Sequence, residues 1–469
     1  MTTFSNAVTN QSARTQNGML ARKSTANKCV DLFFKIGASR GKDIIPDFVG
    51  AYIENNDYAL RIAAWVRDIR GGAGERKLFR DILLYLENTN IDECKKLAFK
   101  APELGRWDDL LIFKTPEMKN YAYSLISSAI KEGNGLTCKW CPRKGVIANE
   151  LRKFMGLTPK QYRKTLVQLT RVVETKMCSN NWDNINFSQV PSIASSRYKK
   201  AFNRHTDKYR EYVEKLMNGD TDVKVNASSI YPYEVVSGLS SHSRYDITES
   251  NLIISQWNAL PDYINSCNIL PMVDVSGSMN CPAGNSKTIS CMDVAISLGI
   301  YTADKNKGSF KDLFLTFSAA PDLIKLTGNV VQKYQQMIRA NWNMNTNLIA
   351  AFDKILSVAI EGNVKQSEMP EMLLILSDMQ FDRCARFDDT AFGMIQRKYN
   401  DAGYIVPKIV FWNINSFDNA PVKFDQSGVA LVSGFSPAIF KSLLAGNIEN
   451  FTPENIMLET IMNDRYAVI

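Results

Sequence analysis

The chain has 469 residues, of which 45% are hydrophobic and 22% charged. This composition is typical of a globular protein and excludes a wholly disordered chain, and the length is sufficient for two or three domains. Residues 1–260 contain 39 Lys and Arg against 27 Asp and Glu, a net charge of +12. Residues 261–469 contain 17 against 21, a net charge of −4. The imbalance predicts a module that binds a polyanion, joined to a second module.

The cysteines and the apolar runs bear on the cellular compartment. Nine cysteines, an odd number spread through a long chain, do not indicate a disulfide framework and favour a reducing environment. The first 18 residues are polar, and no apolar run approaches the ~20 residues that a membrane helix needs. We therefore predict a cytoplasmic protein without a membrane partner.

The first half of the chain has the pattern of successive helices. Residues 1–25 are rich in Ser, Thr, Asn and Gln and predict a flexible arm. Residues 26–262 predict an all-α domain of stacked helices, with short Gly- or Pro-bearing breaks such as residues 70–74. The apolar residues of one such helix recur at helical spacing: Cys29, Leu32, Phe33 and Ile36.

Residues 151–210 carry most of the positive charge, with 13 Lys and Arg against 3 Asp and Glu, a net charge of +10. Thr158 followed by Pro159 predicts a helix start. Winding the chain at about 100° per residue separates a cationic side from an apolar side. The cations are Lys160, Arg163, Lys164 and Arg171, and the apolar side chains are Tyr162, Leu166, Leu169 and Val173.

A second basic stretch, residues 197–205, interleaves cations with aromatic rings. Lys and Arg pair with phosphates and aromatic rings stack on bases, so the segment is a candidate site for single-stranded nucleic acid. The other reading is a solvated helix face with the rings in the core. The candidate RNA contacts are Arg152, Lys153, Lys160, Arg163, Lys164, Arg171, Arg197, Lys199, Lys200, Arg204 and His205.

From about residue 265 the pattern changes to alternating strands and helices, which predicts a mostly parallel sheet covered on both faces. We place this Rossmann-like α/β domain at residues 263–469. The predicted strands are residues 269–274, 313–317, 372–377, 405–412 and 429–432. The predicted helices include residues 288–303, 347–359 and 453–464.

Oxygen-bearing side chains follow two of these strands. Asp274, Ser276 and Ser278 come directly after residues 269–273, and Asp378 ends the strand at 372–377. Thr346 opens a helix between them. Carboxylate and hydroxyl oxygens are the ligands that Mg²⁺ prefers, and the tips of parallel strands are where α/β sheets bind ligands. The predicted metal ligands are therefore Asp274, Ser276, Ser278, Thr346 and Asp378.

The spacing of these ligands resembles the metal-ion-dependent adhesion site (MIDAS) of von Willebrand factor A domains. A basic helical module followed by such a domain resembles the Ro autoantigen ribonucleoprotein family, whose helical part is the TROVE module, and in particular its prokaryotic and phage branch. The local marks are residues 59–61 (ALR), 65–76 (WVRDIRGGAGER), 103–110 (ELGRWDDL), 139–144 (KWCPRK) and 162–166 (YRKTL).

The resemblance implies a monomeric ring of HEAT-like helical repeats closed by the A domain. In the Ro family, 3′ ends of misfolded RNA enter the hole of the ring, and small structured RNAs bind its basic outer surface. The metal would leave one position open for a carboxylate or phosphate oxygen of a partner. One departure is local, because Asn345-Thr346-Asn347 replaces the usual Gly-Gly-Thr.

The sequence contains no recognisable catalytic constellation. Its two histidines, His205 and His242, lie near no nucleophile elbow, catalytic cysteine signature or paired carboxylates. We predict a non-enzymatic, Mg²⁺-binding protein that holds structured or misfolded non-coding RNA. The alternative is a metal-dependent protein–protein adhesion or assembly module, such as a phage structural protein, in which the metal captures an acidic residue of a protein ligand.

Overall fold

The computed structural model describes residues 12–14, 20–170, 172–227, 230–237, 239, 247–264, 268–284, 286, 289–316, 320–340, 348–379, 391–415, 420–445 and 451–468. It divides the chain into two compact units, an α/β unit (residues 1–55 and 230–463) and a helical unit (residues 56–229 and 464–469). The predicted fold class, a helical region followed by an α/β domain, is confirmed.

The two units do not coincide with the predicted domains, because residues 26–55 and 230–262 belong to the unit that contains the sheet. The end of helix Lys28–Ile36 illustrates the reason. Ser433, at the tip of a strand, donates its hydroxyl to the carbonyl of Phe33 (2.9 Å) and accepts from the amide of Gly37 (3.0 Å). A Cβ on Gly37 would lie 2.6 Å from the Ser433 carbonyl oxygen, so only glycine permits this approach.

The predicted flexible arm is partly wrong. Strands Ser12–Arg14 (β1) and Leu20–Arg22 (β2) form an antiparallel hairpin. Arg22 exchanges two backbone hydrogen bonds of 2.9 Å with Ala420, and Thr25 is fully buried. The backbone and side-chain hydrogen bonds of this polar segment therefore tie residues 20–25 to the α/β unit, whereas residues 1–11 and 15–19 lie outside the described part.

Six strands form the sheet of the α/β unit in the order β5-β4-β3-β6-β7-β8. All neighbours pair in parallel except β5, which is antiparallel to β4 at the edge. The central strands are buried along their whole length, as expected of a parallel sheet covered by helices. The strands are Ile269–Val273 (β3), Leu313–Thr316 (β4), Leu323–Lys325 (β5), Met372–Ser377 (β6), Lys408–Asn413 (β7) and Val429–Ser433 (β8).

Two strands differ from the prediction. Strand β7 begins at Lys408 rather than at Ile405, after Pro407, whose ring removes a backbone donor. Strand β5 was not predicted, because it has three residues and none of them is buried.

The helices of the α/β unit cover the sheet. The predicted helix at 288–303 begins at Cys291, where the Ser290 hydroxyl accepts from the amide of Asp293 (3.1 Å). The predicted helix at 453–464 ends at Ile461. The helices are Lys28–Ile36, Ile45–Glu54, Pro232–Val236, Ile247–Asn258, Cys291–Lys305, Val330–Arg339, Leu348–Glu361, Ala391–Asp401, Phe440–Ala445 and Pro453–Ile461.

In the helical unit, helices pack on their neighbours along the chain. Helix Asn56–Arg67, for example, contacts both Arg76–Thr89 and Ile91–Leu104. The helices are Asn56–Arg67, Arg76–Thr89, Ile91–Leu104, Pro116–Lys131, Gly135–Trp140, Val146–Phe154, Pro159–Leu169, Val173–Cys178, Ser192–His205 and Lys208–Met217.

A buried ionic cluster holds the first helices of this unit together. Asp109 is fully buried, and Arg67 is 1% exposed. The Nε atom of Arg67 donates to Oδ2 of Asp109 (2.7 Å), and Nε of Arg80 donates to Oδ1 (2.7 Å). Both carboxylate oxygens are therefore paired, as a buried charge requires. A Cβ on Gly105 would lie 2.0 Å from the Arg67 guanidinium. The glycine of the motif at 103–110 therefore leaves the space that the Arg67 side chain occupies.

The last described residues belong to the helical unit. Arg465 donates from Nε to Oδ2 of Asp68 (2.6 Å), and the hydroxyl of Tyr466 donates to the same oxygen (3.0 Å). Burial opposes ionisation of Asp68, but the hydrogen bond from Arg465 outweighs it and holds the pKa of this carboxyl below its usual value. The final residues of the predicted domain at 263–469 therefore belong to the helical unit and not to the α/β unit.

Candidate metal centre and candidate nucleic-acid interface

The tips of strands β3 and β6 bring the predicted carboxylates together in the α/β unit. The two strands are paired in parallel, with Val273 opposite Leu376, and the amide of Asp274 donates to the carbonyl of Leu376 (2.9 Å). Asp274 and Ser377 consequently leave the sheet side by side, and Asp378 follows directly.

Hydrogen bonds hold the oxygen atoms of this cluster in place. Oδ1 of Asp274 accepts from the amide of Ser276 (2.9 Å), and Oδ2 accepts from the hydroxyl of Ser377 (2.5 Å). The hydroxyl oxygens of Ser276 and Ser278 are 3.0 Å apart. The site therefore presents hydroxyl and carboxylate oxygens from two neighbouring strand tips. Ser377 was not among the predicted ligands, although its position after a buried strand is the signal that identified Asp378.

The electrostatics of the site favour a cation. Asp274 and Asp378 are both 0% exposed. Burial, together with the negative charge of Asp378, raises the pKa of Asp274 to about 6. A divalent cation would neutralise this pair, so the donor set fits a hard metal ion. The cluster contains only two carboxylates, and its other oxygen atoms come from hydroxyl groups. Within the described ranges, no group of three or more His, Cys, Asp or Glu residues forms a potential metal site.

One predicted ligand and part of its loop are not described. Thr346 lies outside the described residues, as do Asn345 and Asn347. Helix Leu348–Glu361 begins immediately afterwards, close to the predicted start. The structure thus places Asp274, Ser276, Ser278 and Asp378 in or beside one cluster, and the role of Thr346 stays a prediction.

In the helical unit, helix Pro159–Leu169 has the predicted amphipathic form. The hydroxyl of Thr158 accepts from the amide of Gln161 (3.3 Å), while the Gln161 side chain accepts from the amide of Thr158 (2.9 Å). This reciprocal capping box begins the helix. Tyr162 and Leu166 are buried against the unit.

The opposite face of this helix carries the cations Lys160, Arg163 and Lys164, which are all exposed. Across the described part of the chain, none of the three forms an ion pair. The helix ends at Leu169, and Val173 begins the next helix, so the predicted continuation of one helix to Val173 is wrong. Arg171 lies outside the described residues.

The remaining cations differ in their surroundings. Arg152 is half-buried and donates to the carbonyl of Leu157 (2.8 Å), so it closes the end of its own helix. Lys199 is also half-buried. The exposed ones are Lys153, Arg197, Lys200 and Arg204.

The rings between the cations at 197–205 do not face solvent as base stacking requires. Phe202 is fully buried, and its ring lies 5.2 Å from that of Phe187. Tyr198 is half-buried and donates to Glu174 (3.2 Å). The interpretation of these two rings as stacking surfaces is therefore wrong. Their four-residue spacing places both on the inward face of helix Ser192–His205.

An aromatic pair that the sequence did not reveal lies at the end of this helix. The imidazole of His205 stacks on the indole of Trp182, with ring centroids 4.5 Å apart and planes inclined by 9°. His205 is exposed and Trp182 is half-buried. Trp182 belongs to a short 3₁₀ turn, 182–184, which has no periodic pattern to mark it.

A cavity of about 510 Å³ lies in the helical unit beside the end of one basic helix and the start of the other. Thr170, which follows helix Pro159–Leu169, and Ala194, in the first turn of helix Ser192–His205, both line it. Lys139 and Lys176 also border it, beside apolar side chains such as Ile185. The segment after helix Pro159–Leu169 and the first turn of helix Ser192–His205 therefore border one concave surface.

The fold and these sites define a two-part protein, with a basic helical unit and a mostly parallel α/β unit that gathers oxygen-bearing side chains at two of its strand tips. Two family models match the chain. One is a domain of unknown function, DUF2828, which matches residues 15–90 and 128–269. The other, DUF7788, is also a domain of unknown function and matches residues 268–465. The point where they meet lies near the predicted boundary at 262–263.

An uncharacterized protein of Acanthamoeba polyphaga mimivirus, L728, is 32% identical over 95% of this chain and 86% of its own length. The chain belongs to the family of this mimivirus protein. A shorter match, 30% identical, to the acetylcholine receptor subunit beta-like 2 of Drosophila melanogaster covers 29% of this chain and 27% of that protein. The crystal structure of the Deinococcus radiodurans Ro (RSR) protein aligns with 93% of this chain and 99% of its own, at 12% identity and a TM-score of 0.39.

No helix within the described residues has both the length and the apolar character that crossing a membrane requires.

Proposed function

We propose that this protein is a non-enzymatic RNA-binding protein whose helical unit holds structured or misfolded non-coding RNA. The observation that carries the proposal is the capped helix Pro159–Leu169, which presents Lys160, Arg163 and Lys164 to solvent. Three neighbouring cations on one helix face, in a segment of net charge +10, have the charge that binding to a phosphate backbone requires.

The two kinds of contact have different roles. The lysine and arginine side chains pair with phosphates and supply most of the affinity, which falls steeply with salt. A base stacks on the exposed face of His205, whose other face rests on Trp182. The motif order that resembles the Ro ribonucleoprotein family supports RNA as the polyanion, and we extend the proposal to a cytoplasmic, monomeric protein.

The α/β unit would hold Mg²⁺ or another divalent cation. Asp274, Ser276, Ser278 and Asp378 supply the oxygen atoms, with Thr346 added from the sequence. When bound, the ion neutralises the buried carboxylates and offers a remaining position to an anionic oxygen of a partner. The side chains themselves hold and orient the ion, and the hydroxyl of Ser377 fixes the Asp274 carboxylate.

The absorbance ratio at 260 and 280 nm of the natively purified protein, with sequencing of any bound RNA, tests RNA binding directly. We expect a ratio above that of the protein after nuclease treatment, and an enriched set of non-coding RNAs. A ratio that nuclease does not change, from protein purified at low salt, would argue against the proposal.

The second candidate function is a metal-dependent adhesion or assembly module, such as a phage structural protein, and the buried pair Asp274 and Asp378 favours it. The ion would then capture an acidic residue of a protein ligand, and the basic helices would serve packing. A pull-down that EDTA and Asp274→Ala both abolish, without co-purifying nucleic acid, would support this function over RNA binding.

Mg²⁺ is expected to stabilise the α/β unit. At a concentration about 100-fold above the Kd, binding adds about 2.7 kcal/mol, which raises the Tm by about 5 °C. Asp274→Asn removes the charged ligand and should abolish the rise. Asp353→Asn is a matched control, because Asp353 is a half-exposed partner of Lys398 away from the strand tips. Thermal unfolding with Mg²⁺ and with EDTA measures both variants.

The rise in Tm that Mg²⁺ causes should depend on pH. The raised pKa of Asp274 means that, without a cation, its ionisation reduces stability as the pH rises through about 6. A cation binds the ionised form and reverses this loss. The Tm increment from Mg²⁺ should therefore be full at about pH 7.5 and small at about pH 5. An increment that is equal at both values would contradict cation binding at Asp274.

A further inference from the structure

Two cysteines face each other across the segment that connects the turn of Ser276 and Ser278 to helix Cys291–Lys305. Pro282 and Ser290 form an antiparallel bridge, and the amide of Cys291 donates to the carbonyl of Cys281 (2.9 Å). Cys281 and Cys291 are therefore directly opposed, and their Sγ atoms are 3.4 Å apart. Sequence patterns did not single out this pair, because nine residues separate the two cysteines.

This arrangement is close to that of a disulfide. Opposed residues of an antiparallel pair have Cα atoms about 4.5–5.5 Å apart, within the range of about 4.4–6.8 Å found for disulfides. The sulfur atoms must approach by about 1.4 Å to reach the bond length of about 2.05 Å. A Cα separation in this range is one that a disulfide can bridge without backbone movement.

The two thiols differ in access. Cys281 is half-buried, and its Sγ accepts from the side-chain amide of Asn415 (3.2 Å). Cys291 is 1% exposed. An external reagent therefore reaches Cys281 first, and the buried Cys291 is placed to react with Cys281. We propose that Cys281 and Cys291 form a reversible intramolecular disulfide when the protein meets a small-molecule disulfide of the glutathione class.

The reaction is a pair of thiol–disulfide exchanges. The Cys281 thiolate attacks one sulfur of the reagent, forms a mixed disulfide and releases one reduced thiol. The Cys291 sulfur then attacks Sγ of Cys281, forms the intramolecular bond and releases the second thiol. The protein loses two protons and two electrons, and the reagent takes up both to become two molecules of reduced thiol. Excess reduced thiol reverses the sequence.

The bond would close a short loop beside the candidate metal site. The amide of Cys281 donates to the carbonyl of Ser278 (3.3 Å), so one end of the loop is anchored to the turn that carries the hydroxyl ligands. Because a disulfide restricts the unfolded chain, oxidation should raise the Tm of the α/β unit by a few degrees. The proposal depends on neither RNA nor metal binding.

Oxidised glutathione, added to the full chain, provides the test. Trypsin cleaves at Lys287, between the two cysteines, so a disulfide joins two peptides that mass spectrometry detects without reduction. We expect the joined peptides to account for most of the protein, and reduction to separate them. Cys178 is an exposed thiol and serves as the internal control, since it should form only a mixed disulfide with glutathione.

Cys281→Ser must abolish the joined peptides, because Cys267 lies in the same tryptic peptide as Cys281. The proposal is overturned if the joined peptides persist in Cys281→Ser. It is also overturned if Cys178 is glutathionylated while Cys281 and Cys291 stay reduced, or if Cys281 stops at the mixed disulfide. Serine is close to cysteine in size, and a Tm near that of the reduced wild type confirms that the variant folds.

Discussion

Replacing Asp109 by alanine is expected to lower the free energy of unfolding of the helical unit by about 3–5 kcal/mol. The carboxylate is fully buried and pairs with both Arg67 and Arg80 at 2.7 Å. Its removal leaves the Arg67 guanidinium as a buried charge without its main partner. Amide hydrogen exchange in helices Asn56–Arg67 and Arg76–Thr89, measured in the full chain, reports the loss without assuming that both units unfold together.

Asp81→Ala is the matched control, because Asp81 lies in helix Arg76–Thr89, next to Arg80, outside the buried cluster. Asp81 pairs with Lys77 at 2.5 Å, but the two side chains are 30% and 65% exposed. Such surface ion pairs contribute about 0.3–0.5 kcal/mol to stability, so the rates of amide hydrogen exchange should change little. Equal effects of the two substitutions would show that the buried cluster does not hold the unit together.

Reversing the three exposed cations of helix Pro159–Leu169 is expected to weaken RNA binding by about 100-fold at moderate salt. Lys160→Glu, Arg163→Glu and Lys164→Glu together remove three phosphate contacts and add three repulsive charges. The slope of log affinity against log salt should decrease in magnitude by about 2, because each contact with single-stranded RNA contributes about 0.7. Fluorescence anisotropy with a labelled RNA over a range of salt concentrations measures both quantities.

A control variant changes the net charge by the same amount, but in the α/β unit. Lys307, Lys325 and Lys423 are exposed residues of the α/β unit, and their reversal to Glu alters the total charge by the same amount. This control should retain most of the affinity. If both triple variants lose affinity equally, binding follows net charge and helix Pro159–Leu169 is not its site.

Strands β3 and β6, and the oxygen-bearing side chains that follow them, were predictable because their signals are local. Asp274, Ser276 and Ser278 directly follow a continuous apolar run, and Asp378 follows another. Parallel pairing then brings both strand tips together. The same is true of helix Pro159–Leu169, whose start depends on residues three apart in the chain.

The division into units was not predictable because it depends on distant contacts. The amide of Gly37 bonds to Ser433 across 396 positions, and Arg465 bonds to Asp68 across 397. Neither contact has a local sequence pattern. The stack of His205 on Trp182 also lacks a local pattern. Trp182 lies in a short irregular turn, where no regular spacing of residues predicts which side chains are exposed.

Ultraviolet crosslinking of bound RNA to the wild-type protein, followed by mass spectrometry of the peptides, tests the central claim most directly. We expect crosslinks within residues 152–205 of the helical unit, including a peptide that contains Trp182 or His205. Crosslinks confined to the α/β unit, or none under conditions in which RNA co-purifies, would contradict it.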